Sequence, residues 1–318
     1  MTENTQAVKG TSLWADAWKR LLKNKLAVFG LVIIAIMAIA VSIGPYLLQW
    51  IAGITPDGMP SRGELYKSSP PSSRNWMGTD DAGRDIFARV LQGGGISLMV
   101  GIISTFVSLI VGVSYGAIAG YLGGRIDNLM MRFVDILYAI PYILIVIVLL
   151  SVFGGPNTPA FIQWMSNQFG GGQGLSQIFL LFFALGLVSW LTMARVVRGQ
   201  ILSLKNQEFV LAARATGVST PAIIFRHLVP NALGPVIVYA TLTIPSVMLT
   251  EAFLSFLGIG VQAPYASWGS LAADGIKNIS VFPWQLIFPG VTMALTLFSL
   301  NFLGDGLRDA LDPQTRKF

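Results

Sequence analysis

Between Leu26 and Leu48 the chain runs without a charged side chain. A helix needs about 20 apolar residues to cross the ~30 Å hydrocarbon core of a bilayer. Five further apolar runs follow, at 96–121, 131–153, 176–197, 232–257 and 284–303. No water reaches backbone N–H and C=O groups at that depth, so such runs must close their own hydrogen bonds as helices. The reading is an all-α integral membrane protein with six transmembrane helices. Composition agrees: 53% of the 318 residues are hydrophobic and 11% charged, against roughly 25% charged in soluble domains. Pro141, Gly112 and Pro245 fall inside spans, where neighbouring helices can satisfy the freed backbone groups.

The first apolar run follows basic residues, as a signal peptide does. It is too long for a signal-peptide core of about 7–15 residues, and no small-residue cleavage site follows it. It is read as a retained helix. Just before it, Leu13, Trp14, Ala17, Trp18, Leu21 and Leu22 recur at helical spacing, with Asp16, Lys19, Arg20 and Lys23 between them. That pattern predicts an amphipathic helix lying on an anionic membrane face.

Six spans put both termini on one side. That side also collects most of the 21 Lys and Arg: five in the first 25 residues, Arg125 and Arg132, the 195–231 loop, and Arg308, Arg316 and Lys317. The opposite side holds only Arg62, Lys67, Arg74, Arg84, Arg89 and Lys277. The positive-inside rule therefore predicts cytoplasmic termini and a cytoplasmic 195–231 loop. The net charge of +6 is explained by this bias without invoking nucleic acid. The expected layout is a cytoplasmic segment 1–25, the first helix 26–48, an extracytoplasmic loop 49–95, a five-helix core 96–303 and a cytoplasmic tail 304–318. The core includes a cytoplasmic loop at 198–231.

That loop is unusually well specified. In "KNQEFVLAARAT" (205–216) Asn206 can cap a helix and Glu208 suits its first turn. Gly217 stands where a left-handed terminator is wanted. Thr220 can then cap a second helix with Pro221 at its first position, and that helix stops before Pro230. Ala212, Ala213, Ala215 and Gly217 permit close approach by another surface. Ile223, Ile224, Phe225 and Leu228 supply apolar contacts, either to the membrane domain or to a partner. A structured loop resting on the interface with no partner fits these residues equally well.

The stretch resembles the cytoplasmic loop of importer-type ABC permeases, in which Glu-Ala-Ala is followed by Gly and then by Ile-x-Leu-Pro. Ala212, Ala213, Gly217 and Pro230 match in spacing. Leu211 replaces Glu, His227 stands at the Ile position and Val229 at the second Leu position. Longer blocks, "MGTDDAGRDIFARVLQGGGISLMVG", "RFVDILYAIPYILI", "EAFLSFLGIGVQAPYASWG" and "GDGLRDALDP", resemble the C-type subunit of oligopeptide and dipeptide ABC importers, the oligopeptide branch most closely. The resemblance runs from about residue 12 to the C-terminus.

It implies a type I importer permease fold. Residues 206–230 would then be the hairpin that couples ATPase closure to the membrane helices, with Glu208, Leu211, Ala212, Ala213, Gly217, Pro221, His227 and Pro230 as its site residues. It also implies partners: a second, B-type permease, two cytoplasmic ATPase subunits that hold ATP and Mg, and an extracytoplasmic peptide-binding protein. A rigid helical arm can transmit motion that a floppy loop would absorb.

The residues themselves exclude much. No GxxxxGK[ST] sequence is present, so ATP must act on another subunit. With no Cys and one His, neither a protein-only zinc site nor a Ser-His-Asp triad is available, and His227 reads as a surface or hairpin-packing residue. No cofactor or metal is expected. Asp135 can pair with Arg132 three residues earlier. Glu251 is the only charge between 227 and 273. Intramembrane acids face a protein interior or a water-filled path, so Glu251 either lines or gates a path or makes structural hydrogen bonds. Residues 81–91 read as an interfacial outer helix capped by Thr79 or Asp80, and the resemblance places a binding-protein contact at Asp80, Arg84 and Asp85. A secondary transporter would need an ion-coupling site that these sparse charges do not supply, and no catalytic constellation supports a membrane enzyme.

Overall fold

The computed structural model describes residues 13–58, 68–170 and 172–311. Sequence expectations at 1–12, 59–67 and 312–318 lie outside them. The described residues form helices and no strand. In chain order these are α1 (Leu13–Leu21), α2 (Lys25–Ala52), α3 (Ile86–Leu122), α4 (Gly124–Ala139), α5 (Tyr142–Phe153), α6 (Ala160–Gln168), α7 (Gln173–Leu204), α8 (Glu208–Ala215), α9 (Thr220–Phe256), α10 (Trp268–Lys277) and α11 (Trp284–Leu311). Helices α2, α3, α7, α9 and α11 are long and apolar enough to cross a membrane, and the bent pair α4–α5 makes six when taken as one span.

That pair departs from the continuous span expected at 131–153. The chain turns by 85° between α4 and α5, with Ile140 extended and Pro141 preceding α5. Proline disfavours helical geometry in the residue before it and lacks the N–H that would continue the ladder. At 12 residues, α5 is about 18 Å long and cannot cross the core alone. Pro45, Pro235, Pro245 and Pro289 sit inside α2, α9 and α11 without breaking them.

The centre of the bundle is α3 packed on α7. Gly112, Gly116 and Gly120 form one stripe on α3, at the spacing that lets membrane helices meet backbone to backbone. A Cβ at Gly116 would lie 2.3 Å from the carbonyl oxygen of Ala194. Ser104 on α3 donates to the Phe182 carbonyl of α7 at 2.9 Å. Outward-facing Phe29, Ile36, Ile102, Phe106, Val291 and Phe298 are exposed, as suits lipid contact.

Several boundaries move. Residues 81–91 are not a separate interfacial helix: Asp85, rather than Thr79 or Asp80, caps α3, which runs unbroken for 37 residues through the expected boundary at 95. Helix α11 continues through the expected start of the tail at 304, to Leu311. The turn-rich segments after α5 and α9 each contain a short helix, α6 and α10. In α1, Ala17 and Leu21 are buried against Leu307, Ala310 and Leu311 of α11, while Trp18, and Leu22 just past the helix, remain exposed.

Candidate functional site

The loop between α7 and α9 is a built hairpin. Helix α8 begins at Glu208 after Gln207, which makes no side-chain cap; Asn206 lies one residue too early to do so. Its end closes as expected. Gly217 has φ +78°, its N–H donates to Arg214, and the N–H of Val218 donates to Ala213, both at 3.0 Å. These two bonds are the reciprocal pair of a glycine-terminated helix.

The second arm differs from expectation. Ser219 precedes it, Thr220 and Pro221 form its first turn, and Ile223–Leu228 make a π-turn. The helix passes Pro230 without stopping: the widened π-turn Ile223–Leu228 immediately precedes that proline, where the regular hydrogen-bond ladder is already shifted and its missing N–H is tolerated. Hairpin and membrane helix are therefore one helical rod, Thr220–Phe256.

The hairpin has two faces. Val210, Ala213, Ile223, Ile224 and Leu228 are buried against Ala117, Met193, Val197 and Ile201 at the ends of α3 and α7. Ala213, expected to welcome a partner, thus faces the membrane domain, and so do three of the four apolar residues of the second arm. Glu208, Phe209, Leu211, Ala212, Gly217, Pro221, Phe225 and Pro230 are exposed, and His227 is half-buried. Polar ties fix the hairpin: Arg214 Nε donates to the Tyr121 hydroxyl at 3.2 Å, and Lys205 Nζ to the Gly120 carbonyl at 3.2 Å. Beside them Arg198 grips the buried Asp127 through two bonds of 2.5 and 2.6 Å. Asp135 pairs with Arg195 across helices at 2.7 Å rather than with Arg132, and Arg195 stacks over the Tyr138 ring.

A cavity of about 600 Å³ opens at the α4–α5 break, between α7 and α9. Tyr138 and Tyr142 flank the break, Ser189 and Thr192 project from α7, and Tyr239, Thr243, Ser246 and Thr250 from α9. None of its lining residues is charged.

Glu251, next to Thr250, points elsewhere. It is completely buried and is not among the residues lining this cavity. Ser255 donates to Oε1 at 2.6 Å and Ser97 of α3 to Oε2 at 3.4 Å. The Ser97 oxygen accepts the N–H of Trp268, and the Ser255 oxygen accepts from Val261 and Ser267. The carboxylate thus ties α9 to α3 and to the start of α10. These are the hydrogen bonds that the structural role, one of the two open from sequence, requires.

At that same end, Asp80, Arg84 and Asp85 are spent internally. Asp85 Oδ1 accepts the N–H of Ala88 at 2.8 Å and its Oδ2 accepts from Asn75. Asp80 accepts from Arg84 at 2.8 Å and from Arg89. Asp81 is the more exposed acid. Burial pushes its carboxyl up, but hydrogen bonds from Ser68, Gln285 and Asn278 and the Lys277 charge outweigh that and hold it below its ordinary 3.8.

A carboxyl lowered by folding stabilises above its unfolded value and loses that contribution as pH falls through its folded value. Hydrogen exchange at 278–285, corrected for intrinsic rates, will stay flat from neutral pH down to about 3.8 and rise only below it. A rise beginning well above that value would show that Asp81 does not hold the rim. Among the described residues no three His, Cys, Asp or Glu cluster as a metal site.

Sequence reading missed the α4–α5 break as a place for a cavity, the Asp127–Arg198 pair and the glycine stripe of α3. The last was readable, since Gly112, Gly116 and Gly120 recur every four residues.

Comparison with known proteins fits this geometry. Residues 112–317 match the family described as binding-protein-dependent transport system inner membrane component. Residues 12–57 match the N-terminal TM domain of oligopeptide transport permease C. The chain is 43% identical to the oligopeptide transport system permease protein OppC of Bacillus subtilis, over 97% of this chain and 92% of that one. Identity to OppC of Salmonella typhimurium is 47%, covering 97% and 94%. Identity to the dipeptide transport system permease protein DppC of Bacillus subtilis is 45%, covering 95% and 86%. The chain therefore belongs to the family of binding-protein-dependent transport system inner membrane components, alongside the oligopeptide and dipeptide permeases.

Proposed function

We propose that this chain is a non-catalytic permease subunit of an ATP-driven, binding-protein-dependent peptide importer of the type I fold. It forms a translocation path with a second, B-type permease in a bacterial inner membrane, with both termini cytoplasmic. Two ATPase subunits, which hold ATP and Mg, bind the cytoplasmic hairpins of the two permeases, one of them at the exposed face of α8, and a peptide-binding protein docks at the opposite end. Oligopeptides are the cargo; related subunits serve dipeptides, glutathione or nickel complexes. The observation that carries the reading is the two-faced hairpin. One face is packed into the membrane domain, and the other leaves Phe209, Leu211, Ala212 and Phe225 exposed, while its second arm is continuous with α9. A push on α8 is thereby passed to a membrane helix.

The outer contact is better assigned to the exposed rim around Asp81 than to Asp80 and Asp85, whose carboxylates are already occupied. Gly217 tests the coupling. Nothing lies within 4 Å of a Cβ built there, so Gly217→Val strains only a left-handed backbone position, by about 1 kcal/mol or more. The variant is expected to assemble with its partners yet lose peptide-stimulated ATP hydrolysis and uptake in reconstituted vesicles. Unaltered coupling in an assembled Gly217→Val complex would remove the hairpin from this role. A self-contained secondary transporter would instead take up peptide from a proton gradient without ATP.

A further inference from the structure

The cavity at the α4–α5 break is chemically unusual for a membrane domain. Tyr239, Thr243, Ser246 and Thr250 line it from α9, at steps of four, three and four residues, so they share one helix face. Thr243 and Thr250 donate to the carbonyls of Tyr239 and Ser246, at 2.8 and 3.0 Å. Their oxygens keep acceptor capacity. Ser246 is exposed. The Ser246 hydroxyl and the spare lone pairs of Thr243 and Thr250 still face the groove, and polar groups set against hydrocarbon without a partner cost free energy, so this face suits a wet, polar occupant rather than a lipid tail. With no charge in the lining, it has no Coulombic preference between cationic and anionic cargo.

We propose that this groove is a peptide main-chain track. Its hydroxyls exchange hydrogen bonds with the amides of an extended peptide and ignore side-chain charge. Peptide N–H and C=O groups recur in every sequence: Thr243 and Thr250, whose protons are engaged on their own helix, can accept from peptide N–H groups, and Ser246 can donate to a peptide C=O. The stripe from Tyr239 to Thr250 is about 16 Å long at helical rise, the reach of about five extended residues. The proposal rests on the peptide-importer reading and adds the residues and the chemistry of passage. Arg195, one helical turn beyond Thr192, stacks over the groove's Tyr138 and is already paired with Asp135.

The test installs a charge where the parent has none. Complexes carrying Ser246→Asp or Ser246→Lys are reconstituted in vesicles with their ATPases and binding protein. Uptake is measured for two tripeptides that differ only in a central Glu or Lys. The parent ratio of the two rates normalises any preference of the binding protein. Ser246→Asp is expected to shift that ratio by about tenfold toward the basic peptide, and Ser246→Lys by a similar factor toward the acidic one, as unit charges within a groove's width interact. Thr250→Asp, one turn on, repeats the test should either first variant fail to assemble. An unchanged ratio, or equal slowing of both peptides, overturns the track. Absence of ATP-dependent uptake in the parent complex overturns the importer reading itself, and the track with it.

Discussion

Gly116→Leu will prevent the permease core from assembling. Any Cβ at this position meets the Ala194 carbonyl oxygen at 2.3 Å and the Arg198 amide at 3.0 Å. Both are backbone atoms of α7 and cannot swing aside as a side chain would. The two helices must separate, which also loosens the contacts of Gly112 with Met193 and of Gly120 with Ile201. Between membrane helices close packing carries association, because lipid tails are as apolar as the helices themselves. Overpacking alone costs about 1–3 kcal/mol, and here the lost contacts along the stripe add to it. Thermal unfolding and size-exclusion profiles in detergent will show little folded protein. Gly199→Leu on the same α7, where a Cβ meets nothing within 4 Å, will behave like the parent. A Gly116→Leu chain as stable as the parent would mean that α3 and α7 do not meet this closely.

The second large effect is at Glu251. Glu251→Ala removes both acceptors of a network that water does not reach, stranding the hydroxyls of Ser97 and Ser255 and leaving a void. Together these cost about 2–5 kcal/mol. The expected result is a marked fall in thermal stability and loosening of α10, which the same serines hold. Glu251→Gln keeps an oxygen that can accept from Ser255, so its cost is about 1 kcal/mol and peptide uptake is expected to survive. A Gln variant that folds normally yet transports nothing would restore the carboxylate to a gating role.

The contrast between these residues explains what the sequence could reveal. The end of α8 was legible because everything that fixes it is local: Gly217 supplies the left-handed turn, and the closing bonds join residues three to five apart. The six apolar runs were legible because the bilayer imposes their length. The break at Pro141 was not. Pro45, Pro235, Pro245 and Pro289 look the same in sequence and leave their helices whole, so the outcome depends on neighbours distant in the chain. Glu251 was singled out by its isolation, but its partner Ser97 arrives from α3, and Ser267, which joins the network through Ser255, from the segment before α10. The hydroxyls of the groove were hidden for another reason. Serine and threonine in membrane helices commonly bond the carbonyl four residues back, so their presence alone does not tell which face they line.

The π-turn at Ile223–Leu228 has a consequence of a different kind. One additional residue in a turn rotates all that follows by about 100° relative to an unbroken α-helix. The bearing of Phe209 and Leu211 relative to the groove is thus written in a residue count, not in any one side chain. Substitutions within the segment leave that count alone. Losing one residue would swing the hairpin about a quarter turn, with every helix intact and the exposed face aimed at the wrong place. Length is a property this segment must keep besides its buried Ile223, Ile224 and Leu228, and only its exposed positions are free to change.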